Sequence, residues 1–230
     1  MARRKVKTTK HDIVRCALNL FLERGFSATT AIHIADAVDI STGNLTYYFH
    51  TKEHLLAELV DMLCQFEWKL MEEEAKEGAS SLLAVCLELV TIAAACEQDA
   101  VAKDFFLASY RNQMTMELIR KNDKQRAMDV FREFCPDWTE EQYESAETLV
   151  SGIEYATLLT TEHSAPLETR IAAALEAILT IYQVPEQLRR QKIEKVLALD
   201  YRKLSLRILA EFRAYVDHKT EQALIDLQNS

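Results

Sequence analysis

The sequence predicts an all-α fold, and three observations carry that expectation. Glycine and proline are scarce, at 4 and 3 of 230 residues, whereas a sheet protein needs many tight turns, which favour those two. Apolar residues recur at three- and four-residue spacing through most of the chain, the period of an amphipathic helix. Five of the seven glycines and prolines (Gly25, Gly78, Pro136, Pro166 and Pro185) fall between those windows.

Taken in order, Ile13, Ala17, Leu18, Leu20 and Phe21 mark one face of a helix beginning at Thr9, and Gly25 is its stop. Thr29-Thr30 open a second, short helix whose inward face is Ile32, Ile34 (or Ala35) and Val38. After the link Asp39-Ile40, Ser41 is a good N-cap for a third helix through Phe49. Thr51 caps a fourth, from Lys52 to about Lys76. Further helices are expected over 80–97, 100–134, 139–163, 167–183, 186–199 and 200–227, with no internal repeat, linker or low-complexity segment.

Charge is unevenly spread. Residues 1–54 carry eight basic and five acidic side chains, a net of +3; with -9 on the whole chain, the remainder holds -12. A locally basic N-terminal face is thus compatible with an acidic protein. The five cysteines (Cys16, Cys64, Cys86, Cys96 and Cys135) form no C-x-x-C pair and suggest reduced thiols in a cytoplasmic protein. The basic start MARRKVKTTK leads into no secretory apolar segment. The run Ser80 to Cys96 is short for a membrane span and carries Glu88, so a buried helix is expected, and no membrane partner.

The first three helices have the lengths and tight links of a helix-turn-helix unit, whose third helix enters the DNA major groove. Asp39 occupies the turn position that favours positive φ, and small Ala35 and Ala37 permit a close crossing. The third helix then presents Thr42, Asn44, Thr46 and Tyr47 outward while Leu45 and Phe49 pack inward. Asn pairs bidentately with adenine, and a Thr methyl touches a thymine methyl. Tyr and Lys reach phosphate oxygens. Thr30 and Lys52 stand at helix N-termini, which favour anions. The tail residues Arg3, Arg4, Lys5, Lys7 and Lys10 can follow the backbone or enter the minor groove.

These residues resemble the DNA-binding domain of the TetR family of transcriptional regulators. The matching pieces are LFLERGF, T-T-x-x-x-I-A from Thr29 to Ala35, S-x-G-N-L-x-Y from Ser41 to Tyr47, and F-x-x-K-E-x-L-L from Phe49 to Leu56. Two departures stand out: Thr46-Tyr47-Tyr48 replaces the usual aromatic pair and His, and Asp39 replaces the usual turn glycine. The resemblance implies a three-helix DNA-binding domain with a basic tail over 1–54 and a larger helical effector-binding and dimerisation domain over 55–230. It implies a homodimeric repressor on a palindromic site of double-stranded DNA, released by a small-molecule effector. Its DNA-contacting positions here are Thr29, Thr30, Thr42, Gly43, Asn44, Thr46, Tyr47, Tyr48 and Lys52. Tyr47 and Tyr48 also suit packing against the first helix.

For the larger domain, Cys86, Phe105, Phe106, Tyr110, Met114 and Tyr155 are candidates for an effector pocket, although an aromatic or Met stripe at helical spacing is usually core. Residues 144–163 carry two apolar stripes, one of Ala146, Leu149, Val150 and Ile153 and one of Tyr155, Leu158 and Leu159, and Ile171 to Tyr182 is nearly all apolar. Within 144–183, Tyr155, Leu158, Leu159, Ile171, Leu175 and Ile178 are therefore candidates for a dimer interface, with the core of a monomer as the alternative. The helix 200–227, with Leu204, Ile208, Phe212, Tyr215 and Val216 on one side, is the competing interface or a core cover. His50 and His54 have a metal-ligand spacing but lack a third ligand, and no cofactor is expected. No Gly-rich phosphate loop, G-x-S-x-G or H-E-x-x-H is present, so an enzyme is the remote alternative. A regulator governed by a protein partner, or an activator, shares the same DNA-binding end.

Overall fold

The computed structural model describes residues 10–76 and 81–228, and among them there are helices and connections but no strand. The basic tail through Thr9, and the breaks expected at Gly78 and Ser80, lie outside the described residues.

Four helices form the N-terminal part: α1 (Lys10–Arg24), α2 (Ala31–Ala37), α3 (Thr42–Tyr48) and α4 (Lys52–Ala75). Their starts follow from side-chain chemistry. Thr30 forms a capping box with His33, and the Ser41 hydroxyl accepts from the Asn44 amide at 3.1 Å. Thr51 stands before α4 in extended conformation, but its hydroxyl meets His54 Nδ1 at 3.0 Å and caps no amide. Asp39 adopts φ 53° in the turn, the left-handed conformation its position demands. Ile13, Ala17, Phe21, Ile34, Leu45, Phe49 and Leu56 close a small core around which α1 to α4 pack. Phe21 is fully buried edge-to-face with Phe26; truncating it to Ala would remove roughly 3–5 kcal/mol of stability. Two expectations fail here. Ile32 points outward at 59% exposure, and Ala37 is exposed, leaving Ala35 alone at the helix crossing.

The remainder comprises α5 (Leu82–Gln98), α6 (Ala100–Arg111), α7 (Gln113–Phe131), α8 (Glu140–Leu158), α9 (Leu167–Ile181), α10 (Glu186–Leu197) and α11 (Tyr201–Gln228). Helix α5 is buried nearly all round, packing against α4, α6, α8, α9, α10 and α11. Its apolar run is therefore a core element. No helix among the described residues is long and apolar enough to cross a membrane. All five cysteines are free thiols.

The segment 100–134 is two helices rather than one. Asn112 ends α6 and caps α7, its side chain accepting from the amides of Met114 and Thr115. Helix α8 stops at Leu158, short of residue 163, where the Ser164 hydroxyl takes the Thr161 amide into a turn. Helix α11 lays Leu204, Ile208, Phe212 and Val216 onto α5, α4 and α1, so it covers the core and joins the two ends of the molecule.

Helix α4 runs without interruption from the three-helix unit into the larger bundle, past residue 54. Its rise of 1.5 Å per residue makes it a rod of about 22 Å between Lys52 and Glu67.

Candidate nucleic-acid interface and interior cavity

Helix α3 carries one buried side chain, Leu45, and turns the rest outward. Thr42, Gly43, Asn44, Thr46 and Tyr47 are exposed, and Tyr47 is 81% accessible. A Cβ on Gly43 would meet only the Ser41 hydroxyl, at 3.9 Å, so this side of the helix is open. Thr46 returns its hydroxyl proton to the Thr42 carbonyl at 2.8 Å, which leaves its methyl and an oxygen lone pair facing out. Tyr48 is half-buried against the core and supports the Tyr47 ring edge-on at 5.4 Å. Tyr47 is thus presented and Tyr48 partly packed.

Three predicted contact residues are used differently. Thr29 is fully buried, its hydroxyl donated to the Gly25 carbonyl at 2.7 Å, so it locks the loop after α1 and reaches no ligand. Lys52 donates its ammonium to the carbonyls of Phe26 and Thr29, at 2.9 and 3.0 Å, and lies 4.2 Å from the Phe26 ring centroid. It staples the α1–α2 loop to the start of α4 and is not held out to a phosphate. Lys10 pairs with Glu58 at 2.8 Å. Thr30 remains exposed but spends its oxygen on the α2 cap. His50 and His54 meet edge-to-face at 5.8 Å, and among the described residues no three His, Cys, Asp or Glu side chains are placed to hold a metal ion.

The loop after α1 also touches the larger bundle. Asp104 of α6 accepts from the Ser27 amide at 2.8 Å and from the Ser27 hydroxyl at 2.5 Å. Gly25, at φ +92°, makes room for it: a Cβ there would stand 2.8 Å from Asp104 Oδ2.

On its other side, α6 lines an interior cavity of about 60 Å³ between α4, α5, α6, α7 and α8. Of the six predicted pocket residues only Phe106 and Tyr110 line it. Cys86 and Phe105 are fully buried core, and Met114 and Tyr155 lie outside the lining, Tyr155 stacking on Tyr110 at 6.4 Å.

Sequence reasoning missed the acids. Glu67, Glu88, Asp123 and Glu154, one from each of α4, α5, α7 and α8, all line the cavity. Glu88 is neutralised by Arg126, whose Nη1 approaches both its oxygens at 2.8–2.9 Å while Nη2 donates to the Cys64 carbonyl. Burial, reinforced by Glu88, pushes the Glu67 carboxyl well up despite Arg126. Burial raises Asp123 to about 7 against the pull of Arg126, and burial with Asp123 and Glu147 beside it raises Glu154. Tyr110 donates its hydroxyl to Glu154 at 3.1 Å. The readable signal was a charge on an apolar stripe: Glu67 lies between Leu63 and Met71 at helical spacing.

Residues 13–59, which hold most of α1, all of α2 and α3 and the start of α4, match the model of the bacterial regulatory proteins, tetR family. The N-terminal domain is a tetR-family domain. The chain is 36% identical over 70 residues to the HTH-type transcriptional regulator QacR of Staphylococcus aureus, covering 29% of this chain and 37% of that protein. It is 36% identical over 56 residues to the HTH-type transcriptional repressor KstR2 of Mycobacterium tuberculosis, covering 24% and 28%. The chain thus spans about a third of the length of the curated relatives it matches. Beyond the tetR-family domain the likeness is one of fold. SmeT, the repressor of the Stenotrophomonas maltophilia multidrug efflux pump SmeDEF, superposes with a TM-score of 0.52 at 16% identity, over 78% of this chain and 97% of that one. These relatives and this neighbour are regulators and repressors rather than enzymes.

Proposed function

We propose that the protein is a DNA-binding transcriptional repressor that acts as a homodimer, works in the cytoplasm and leaves its operator when a small molecule occupies the cavity. Residues 1–54 are the DNA-binding domain, and 55–230 the effector-binding and dimerisation domain. The observation that carries the reading is α3 itself: a tetR-family recognition helix whose Thr42, Asn44, Thr46 and Tyr47 are exposed while Leu45 anchors it. Asn44 and Thr46 are suited to base edges, Tyr47 to phosphate.

The dimer surface we favour is the outward side of α8 and α9, although four of the residues first suggested for it cannot serve. Leu158, Ile171, Leu175 and Ile178 are buried in the chain's own core. What α8 exposes instead is Leu149, Gly152 and Ala156, with Leu159 just beyond and Tyr155 half-buried; α9 exposes Ala173 and Ala177. Leu149 and Leu159 are 59% and 44% accessible. Small residues beside leucines let two helix pairs approach closely, and a two-fold dimer presents two α3 helices to a palindromic site.

Two elements link cavity to DNA. Helix α4 carries Val60, Leu63, Cys64 and Glu67 into the cavity wall and Lys52 under the α1–α2 loop. Helix α6 carries Phe106 and Tyr110 on the cavity side and Asp104 on Ser27. A ligand that favours a displaced α4 or α6 therefore favours a different spacing of the recognition helices.

The test is selection of bound duplexes from a random library by the purified protein. Enrichment of a two-fold-symmetric sequence is the expected result. A pool that stays random through successive rounds refutes the reading.

A further inference from the structure

We propose that the interior cavity takes a compact organic monocation, an alkylammonium or quaternary ammonium ion, with Glu67 and Glu154 as counter-charges and Phe106 and Tyr110 as its aromatic wall. This deepens the effector reading above and depends on it for the consequence at DNA.

Glu67 is the acid most in need of a partner. It is 4% exposed, lines the cavity, and its Oε1 has no hydrogen-bond partner. A buried carboxylate without a partner is unfavourable, and a bound cation relieves that directly. Charge balance points the same way. Four carboxylates line the cavity, and the guanidinium beside them, Arg126, is committed to Glu88, to Asp123 at 3.5 Å, to the Cys64 carbonyl and to the Trp68 ring 4.7 Å away. Asp123 shares Arg126 with Glu88, whereas Glu67 and Glu154 are left without a basic partner, and burial drives both towards the neutral acid. An anionic ligand meets the opposite of what it needs.

Geometry selects among cations. The carboxylates come from four helices and, among the described residues, no three of them converge to hold a metal ion. A point charge demanding tight oxygen ligation is therefore poorly served. An organic cation, with its charge spread over a larger surface, suits dispersed carboxylates. The Phe106 and Tyr110 rings supply the aromatic faces that attract such ions, and Val60, Leu89, Ile92 and Leu158 cover its alkyl groups. A volume of about 60 Å³ corresponds to room for about four to six water molecules, which sets the scale at a handful of heavy atoms.

The test is calorimetric titration of the full chain with tetramethylammonium and choline, and with 3,3-dimethyl-1-butanol, the neutral shape-match of choline. The proposal expects saturable binding of the cations and at least about tenfold weaker binding of the neutral analogue. Glu67→Gln keeps the shape and should remove that preference, with helix content checked by circular dichroism. Equal binding of choline and its neutral analogue, or no binding of either cation, overturns the proposal without needing any variant. Operator affinity is then measured with choline present. Cation binding that leaves operator affinity unchanged upholds the cavity assignment and refutes the effector reading instead.

Discussion

Replacing Gly25 by alanine tests how the DNA-binding end is fastened to the bundle. The backbone there has φ +92°, which costs an L-residue about 1–2 kcal/mol. The new Cβ would also sit 2.8 Å from Asp104 Oδ2, while the Asp104 Cγ and Cβ lie at ordinary separations of 3.6 and 3.9 Å. The carboxylate must therefore swing away, giving up both hydrogen bonds from Ser27. Those bonds are charge-assisted but solvent-exposed, so their joint loss is worth about 1–2 kcal/mol. Gly25→Ala should thus cost roughly 2–4 kcal/mol, lowering the melting temperature by about 5–15 °C in a chain of this size. The assay is thermal and urea unfolding by far-UV circular dichroism at fixed protein concentration, within a double-mutant cycle. In an Asp104→Ala background the clash is gone, and Gly25→Ala should cost only the backbone strain. A coupling energy of about 1–2 kcal/mol is expected. Additivity within about 0.5 kcal/mol would refute the idea that Gly25 exists to admit Asp104.

Stability should fall as pH rises from about 4.5, the ordinary carboxylate range, to about 8. Burial lifts Asp123 to about 7 and Glu147, which accepts from the Tyr182 hydroxyl, to about 8. Between their unfolded and folded pKa values the folded chain holds protons that the unfolded chain has released, so each group can remove up to about 1.4 kcal/mol per pH unit. Glu168 is lowered to about 2 by its Arg202 and Tyr201 partners, and its contribution is lost only in acid below its ordinary range. Melting curves should show the decline, and Glu147→Gln should flatten it; a rise in melting temperature over this interval contradicts the burial argument. At the proposed dimer surface, Leu149→Arg should convert dimer to monomer in light scattering without loss of helix content, because Leu149 is 59% exposed in the single chain. An unchanged dimer mass would remove α8 from the interface.

The N-terminal domain was legible in the sequence because its determinants are local. Thr30 and Ser41 cap within three residues of themselves, and Asp39 stands where the turn needs a left-handed residue. Lys52 and Thr29 escaped because their partners lie 23 to 26 and 4 to 9 residues away, in a loop whose path the sequence does not display. The break at Asn112 has no glycine or proline; its signal was an Asn able to cap, inside a run that otherwise reads as one helix. The dimer candidates failed for a general reason. The most apolar stripe of a helix is its core face, so Ile171, Leu175 and Ile178 turn inward. The surface we propose for a second copy exposes smaller, less conspicuous residues, Gly152 and Ala156 among them. The cavity acids are dispersed over α4, α5, α7 and α8, and only the packing of four helices brings them around one cavity.

On the function proposed above, α3 is the helix that reads DNA. The most direct test of that role is fluorescence anisotropy of wild type and Tyr47→Ala on the selected duplex and on a random one, at two salt concentrations. Tyr47 is 81% exposed and packs only edge-on with Tyr48, so the substitution should leave folding intact. The account predicts tight, steeply salt-dependent binding to the selected duplex, weakened about tenfold or more by Tyr47→Ala. Equal affinity of wild type and Tyr47→Ala for that duplex would contradict it.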